Sequence, residues 1–139
     1  MKIYFAGAIR GGRTDATVYR AMIDYLSSFG QVLTGHVGDA SLTEKGDDGP
    51  DDRAIHDRDM AWLSECDLVV AEVSMPSLGV GYELAQAVSL EKPVLCMYSS
   101  ENGRLLSAMI AGSPSIKAVQ YSSLTEAKSI LADFLKGRR

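Results

Sequence analysis

The chain has 139 residues, of which 46% are hydrophobic and 23% charged, and carries a net charge of −4. That is the size and composition of one soluble domain, residues 1–139, with a core of its own, and the acidic balance gives no electrostatic footprint for a nucleic acid polymer. Residues 1–9 are too short before Arg10 for a signal peptide, and no apolar run is long enough to span a membrane; the expectation is a cytoplasmic protein, or a nuclear one in a eukaryote. Cys66 and Cys96 lie in apolar contexts without metal or redox spacing and read as buried free thiols.

In chain order, Lys2 to Ala6 is a short apolar run that stops at Gly7, the pattern of a buried strand. Val18, Met22, Ile23, Leu26 and Phe29 recur at helical spacing, which predicts a helix over 14–29 ended by Gly30. Residues 31–34 read as a second strand and 35–52 as a polar, acidic loop with Glu44, Asp47, Asp48, Asp51 and Asp52 around glycines and a proline, the composition of solvated surface. A helix follows over 53–65, then a strand over 67–73 whose unbroken apolar centre suits a parallel sheet. A turn over 74–78, a helix over 79–90, a strand over 92–98, a helical stretch over 104–111, a weak strand over 116–120 and a helix over 124–135 complete the chain. Alternating strands and helices predict a doubly wound, Rossmann-like α/β domain, with a five-stranded, mostly parallel sheet flanked by helices. Ligands of such sheets bind at the carboxyl ends of the strands.

Two acids break the local pattern. Asp59 shares a helix face with Ile55, Trp62 and Leu63, where a carboxylate is costly unless paired, hydrogen-bonded or functional. It is either a structural acid that caps a loop or pairs an arginine, or a functional one with a pKa raised by desolvation. Glu83 lies between Val80 and Ala87, on the apolar side of its helix, and is expected in the first turn, after the glycines Gly79 and Gly81. There the helix dipole favours an ionised carboxylate, which could act as a nucleophile or simply complement the dipole. The stretch Ser77-Leu78-Gly79-Val80-Gly81 links a strand to a helix, an arrangement that binds phosphate through backbone N–H groups. The loop Gly7-Ala8-Ile9-Arg10-Gly11-Gly12-Arg13 matches neither the dinucleotide fingerprint nor a Walker loop, which argues against a Rossmann dehydrogenase and a P-loop ATPase. His36 follows a strand at a ligand-facing edge. His56 reads as ordering Asp59 or the loop, and Trp62 as core. The two histidines do not announce a metal site.

Taken together, YFAGAIRGGR at 4–13, HDRD at 56–59, AEV at 71–73, PSLGVGYE at 76–83 and GRLLSAMI at 103–110 resemble, over nearly the whole chain and in the same order, the 2′-deoxynucleoside 5′-phosphate N-hydrolases of the nucleoside 2-deoxyribosyltransferase superfamily. The resemblance implies hydrolysis of the N-glycosidic bond of 2′-deoxynucleoside 5′-monophosphates. Glu83 would form a covalent glycosyl intermediate, Asp59 would position or protonate, and Tyr4 would orient the nucleophile and sugar. Gly7, Ile9 and Arg10 would line the nucleotide site, with His36 near the base and Ser77 and Gly79 on the 5′-phosphate. Ser107 and Met109 would complete the neighbouring subunit's site in a homodimer. No cofactor and no metal are implied. Ala8 stands where the family pattern leads one to expect a serine, which removes one hydrogen bond to phosphate or sugar. A deoxyribosyltransferase or a CMP-type ribonucleotide N-hydrolase shares much of this pattern; a non-catalytic nucleotide sensor is a reading of another class.

Overall fold

A computed structural model describes residues 1–9, 16–39, 51–99, 101 and 103–138. Arg10, the remaining loop residues 11–13, and the acidic Glu44, Asp47 and Asp48 lie outside the described residues.

Five strands, β1 (Lys2–Ala6), β2 (Gln31–Val32), β3 (Leu68–Glu72), β4 (Val94–Ser99) and β5 (Ile116–Tyr121), form one sheet in the order β2-β1-β3-β4-β5. All four pairings are parallel, so the doubly wound expectation holds without an antiparallel edge. The helices are α1 (Ala16–Leu26), α2 (Asp52–Glu65), α3 (Leu78–Ser89), α4 (Ala108–Ala111) and α5 (Leu124–Leu135).

Period-two alternation along β1 sends its side chains to two separate cores. Ile3 and Phe5 join Val70, Leu95 and Met97 under α1 and α5. Tyr4 and Ala6 join Val69, Ala71 and Cys96 under Leu63 of α2 and Val80, Leu84 and Ala87 of α3. Each fully buried Leu or Phe here contributes roughly 1.5–3 kcal/mol. After β1 the chain winds to β2 on one side, and after β2 it returns to β3 on the other. The direction of winding thus reverses between β1 and β3, the switch point at whose carboxyl ends sheets of this kind bind their ligands.

Several expected boundaries shift for local reasons. Helix α1 stops at Leu26 because Ser27 and Ser28 turn their hydroxyls back onto the carbonyls of Ile23 (2.8 Å) and Tyr25 (2.7 Å). Gly30 does not cap it with a left-handed residue; a Cβ there would lie 2.3 Å from the Met1 carbonyl oxygen, so glycine is required by a close backbone approach. Strand β2 has two residues instead of four. Beyond it the Thr34 hydroxyl takes over, accepting from the Phe5 N–H (2.8 Å) and donating to the Phe5 carbonyl (2.6 Å). The expected loop opens with a 3-10 helix at Gly35–Gly38 that carries His36. Of the helical stretch expected over 104–111, only Ala108–Ala111 is helical. Cys66 and Cys96 are buried free thiols, as expected.

Candidate active site

One hydrogen bond joins β1 to α3. Tyr4, buried at the centre of β1, donates its phenol proton to Glu83 Oε1 on α3 at 3.0 Å. Alternation aims Tyr4 at α3, and the helical repeat puts Glu83 one position from the core residue Leu84, on the flank that faces β1 and α2.

The helix dipole expected to hold Glu83 ionised does not prevail. Helix α3 begins at Leu78, so Glu83 is its sixth residue and sits beyond the first turn, where the dipole acts. Burial dominates and pushes the Glu83 carboxyl up from 4.5 to about 7; the Tyr4 hydrogen bond opposes the rise and the nearby Asp59 charge adds to it. The Tyr4 phenol is itself held above its ordinary range, chiefly by burial and then by Glu83 and Asp59. Each of Tyr4, Glu83 and Asp59 thus lies within electrostatic reach of the others.

Asp59 pairs with an arginine, one of the two readings its place on an apolar stripe left open. Its Oδ1 pairs with Arg58 Nε at 3.0 Å, and the two side chains are 17% and 26% exposed. Arg58 Cζ lies 4.7 Å from the centre of the Trp62 ring, and Arg58 Nη2 is 3.3 Å from His36 Nε2. The His36 and Trp62 rings are 5.8 Å apart. Trp62, expected in the core, is only half-buried and serves as the bed for this guanidinium. His56 does not order Asp59: its ring contacts Asp57 Oδ1 (2.9 Å) and the Tyr82 hydroxyl (3.2 Å), tying α2 to α3.

At the start of α3, Ser77 is the N-cap and its hydroxyl accepts from the Val80 N–H at 3.3 Å. A Cβ on Gly79 would meet nothing closer than the Ser77 hydroxyl at 3.8 Å, so its glycine leaves space at the helix start that the chain itself does not fill. At Gly7, by contrast, a Cβ would lie 2.9 Å from the Tyr19 ring, which packs under the turn after β1. Ile9 lies partly buried beyond that turn.

Ser107 and Met109 lie elsewhere. They border a cleft of about 940 Å³ between α3 and residues 104–110, on the face of α3 that carries Ser77, Leu78, Gly81 and Leu84. Tyr4, Asp59 and Glu83 do not line it. Leu78 and Leu105 in this cleft are 97% exposed and Met109 is 81% exposed. One chain therefore assembles Tyr4, Glu83, Asp59 and His36 in one cluster, and Ser107 and Met109 in another, with Ser77 at the helix end between them.

Two residues received no role from the sequence. Arg58 could have been found from its i, i+4 spacing to Trp62, which stacks the two on one helix face. Glu72 is fully buried and ends an otherwise apolar strand. It accepts from the hydroxyls of Ser74 and Tyr121 (3.1 Å to the latter), and Ser74 Oγ in turn accepts from the Ser99 N–H at 2.7 Å. An acid closing a run of valines was the available signal. Among the described residues, no group of three or more His, Cys, Asp or Glu could hold a metal ion, and no helix is long and apolar enough to cross a membrane.

The class to which this doubly wound domain belongs is shown by its sequence. The sequence model of the nucleoside 2-deoxyribosyltransferase family matches residues 3–129, and the chain belongs to that family. It is 46% identical over 138 residues to a 5-hydroxymethyl-dUMP N-hydrolase of Danio rerio, covering 98% of this chain and 96% of that one. It is 48% identical over 142 residues to the 5-hydroxymethyl-dUMP N-hydrolase of Tetraodon nigroviridis, covering the whole of both. Among solved structures, the CMP N-glycosidase BcmB of Clostridium botulinum superposes with a TM-score of 0.68 at 16% identity, covering 97% of this chain and 100% of that one, a likeness of fold.

Proposed function

We propose that this protein is an N-hydrolase of 2′-deoxynucleoside 5′-monophosphates, with 5-hydroxymethyl-dUMP among its substrates, as the names of its close relatives suggest. The observation that carries the reading is the Tyr4–Glu83 hydrogen bond at the sheet's switch point, with a second acid, Asp59, in electrostatic reach. Glu83 is the nucleophile. Its carboxylate attacks C1′ as the glycosidic bond breaks, traps the oxocarbenium-like centre as a glycosyl ester, and is released by water. Tyr4 holds the attacking carboxylate in place and stands against the sugar, where a 2′-hydroxyl would crowd it. Asp59 delivers or accepts the proton that the departing base and the incoming water exchange.

The rest of the substrate follows from this placement. The N-terminus of α3, with Ser77 and Gly79, holds the 5′-phosphate. Gly7, Ile9 and Arg10 line the nucleotide, and His36 faces the base. Ser107 and Met109 sit on the other face of α3 from Glu83, so they serve a site only when they reach it from a second copy. The exposed Leu78, Leu105 and Met109 provide the apolar face for that homodimer. We take the chain as one domain acting in the cytoplasm.

The test is base release, followed by chromatography, from a panel of 2′-deoxynucleoside 5′-monophosphates, their ribo counterparts and the free nucleosides, with Glu83→Gln alongside. Release from deoxy monophosphates alone, abolished in Glu83→Gln, is the expected result. Nucleotide binding without any release would move the assignment to a sensor, and sugar transfer to an added free base would move it to a transferase.

A further inference from the structure

We infer that Arg58 contacts the departing base and stabilises the negative charge that builds on it as the glycosidic bond breaks. The inference rests on the functional reading above. A nucleotide presents phosphate, sugar and base in that order; in the reading above the start of α3 takes the phosphate and Tyr4 with Glu83 the sugar, which leaves for the base the group on α2 that borders Tyr4, namely Asp59, Arg58 and Trp62 beside His36. Arg58 is held at this last station from three directions. Its Nε is on Asp59, its Nη2 is beside His36, and its plane lies over Trp62. Its positive charge also reaches the Tyr4 phenol and opposes the upward push on it. A guanidinium fixed in this way is preorganised, so it does not reorganise when charge appears next to it.

The chemistry identifies what it meets. When the bond between C1′ and the base nitrogen breaks, its electron pair goes to that nitrogen and spreads to the conjugated carbonyl oxygens. Glu83 supplies the pair that forms the new C1′–O bond. Water later places its hydroxyl on C1′, and its proton ends on the base nitrogen. A guanidinium N–H donated to a base carbonyl is weak before cleavage and strong during it, which accelerates the step and leaves substrate affinity largely unchanged. Bases with a carbonyl facing this wall are favoured over bases that present an amino group there.

The test is the dependence of kcat on leaving-group acidity. Deoxyuridine 5′-monophosphates carrying 5-substituents from electron-donating to electron-withdrawing are compared in the wild type, Arg58→Gln and Arg58→Met. Arg58→Met keeps an apolar stem over Trp62, and thermal unfolding shows which variants are folded. Loss of one preorganised donor costs roughly 100-fold or more, so the poorest leaving groups should lose about that factor and the best far less, steepening the plot. An equal loss across the series, or none, overturns the inference. The same comparison in an Asp59→Asn background must steepen the plot again; an unchanged slope there means that Arg58 acts only by holding Asp59, which also overturns direct contact. Wild-type protein that releases no base from any member fails the functional reading itself, a result distinct from an unaltered slope.

Discussion

Tyr4 and Glu83 are 79 residues apart in sequence, yet the phenol of one donates to the carboxylate of the other at 3.0 Å. The bond supports the ionised form of a carboxyl that burial pushes toward neutrality. A hydrogen bond to a charged group contributes about 1.5–3 kcal/mol. Tyr4→Phe should therefore lower kcat/KM by roughly 10- to 100-fold near neutral pH. It should also raise the Glu83 pKa further, so that the loss shrinks as pH rises. A pH–rate profile of the variant checks both; a loss independent of pH would assign Tyr4 to the sugar alone.

Glu83 titrates near 7, and this sets the sign of two pH effects. As a nucleophile it must be ionised, so the rate should climb as pH rises through about 7, and Asp59→Asn, by removing a like charge, should shift that climb to lower pH. For stability the direction is opposite. The folded pKa lies above the ordinary value of 4.5, so the fold holds the proton more tightly than the unfolded chain does. Stability from this group is present below about 4.5 and is lost as pH rises through about 7. At about 1.4 kcal/mol per pKa unit, Glu83→Gln should be more stable than wild type by on the order of 3 kcal/mol above neutrality. Below pH 4.5 the difference should disappear. Denaturant unfolding at the two pH values measures it.

The sheet was legible because its signals are local. Apolar runs such as 68–71 and the helical spacing in α3 and α5 depend on near neighbours in sequence, and the boundaries moved only where a side chain intervened, as Thr34 does at the end of β2. The site was legible in part. Glu83 and Asp59 stood out as acids on apolar faces, but their joining to Tyr4 came from resemblance, because no periodicity links β1 to α3. The ionisation of Glu83 was misread for a related reason. The dipole argument needs only the helix, whereas the burial that prevails comes from β1 and α2 packing around it. For Asp59, pairing with an arginine was one of the two readings the sequence left open, and that pairing is present; the partner, Arg58, could not be named because adjacent helical side chains do not normally face each other. The Arg58 guanidinium lies over Trp62, four residues on, while its Nε reaches Asp59.

Glu72 is a structural counterpart to these site acids. Fully buried, it joins the carboxyl ends of β3, β4 and β5 through Ser74, the Ser99 N–H and the Tyr121 hydroxyl, just before the turn that leads to Ser77. Glu72→Ala removes the carboxylate that accepts from the Ser74 and Tyr121 hydroxyls and should cost about 1–3 kcal/mol. Glu72→Gln keeps the size and an acceptor oxygen and should lose less. Tyr121→Phe, which removes one donor only, should cost about 1 kcal/mol. Urea unfolding of the three variants orders them, and a Glu72→Ala protein as stable as wild type would show that the network contributes nothing.

The separation of Ser107 from Glu83 across α3 gives the most direct test of the proposed homodimer. Leu105→Asp places a charge on the exposed apolar face beside the cleft and should yield a monomer by sedimentation, with base release lost although the Tyr4–Glu83 pair is untouched. Complementation then locates the shared residues. Glu83→Gln and Ser107→Ala are each expected to be strongly impaired when assayed alone. If Ser107 serves the neighbouring site, a mixed dimer pairs the intact Glu83 of one chain with the intact Ser107 of the other and restores one of its two sites. With random exchange of subunits, half the dimers are mixed, so activity should recover to about a quarter of the wild-type value. If Ser107 instead served its own chain's site, each site in the mixture would carry one defect and nothing would be regained. Recovery on mixing therefore separates a site built by two chains from one that a single chain completes.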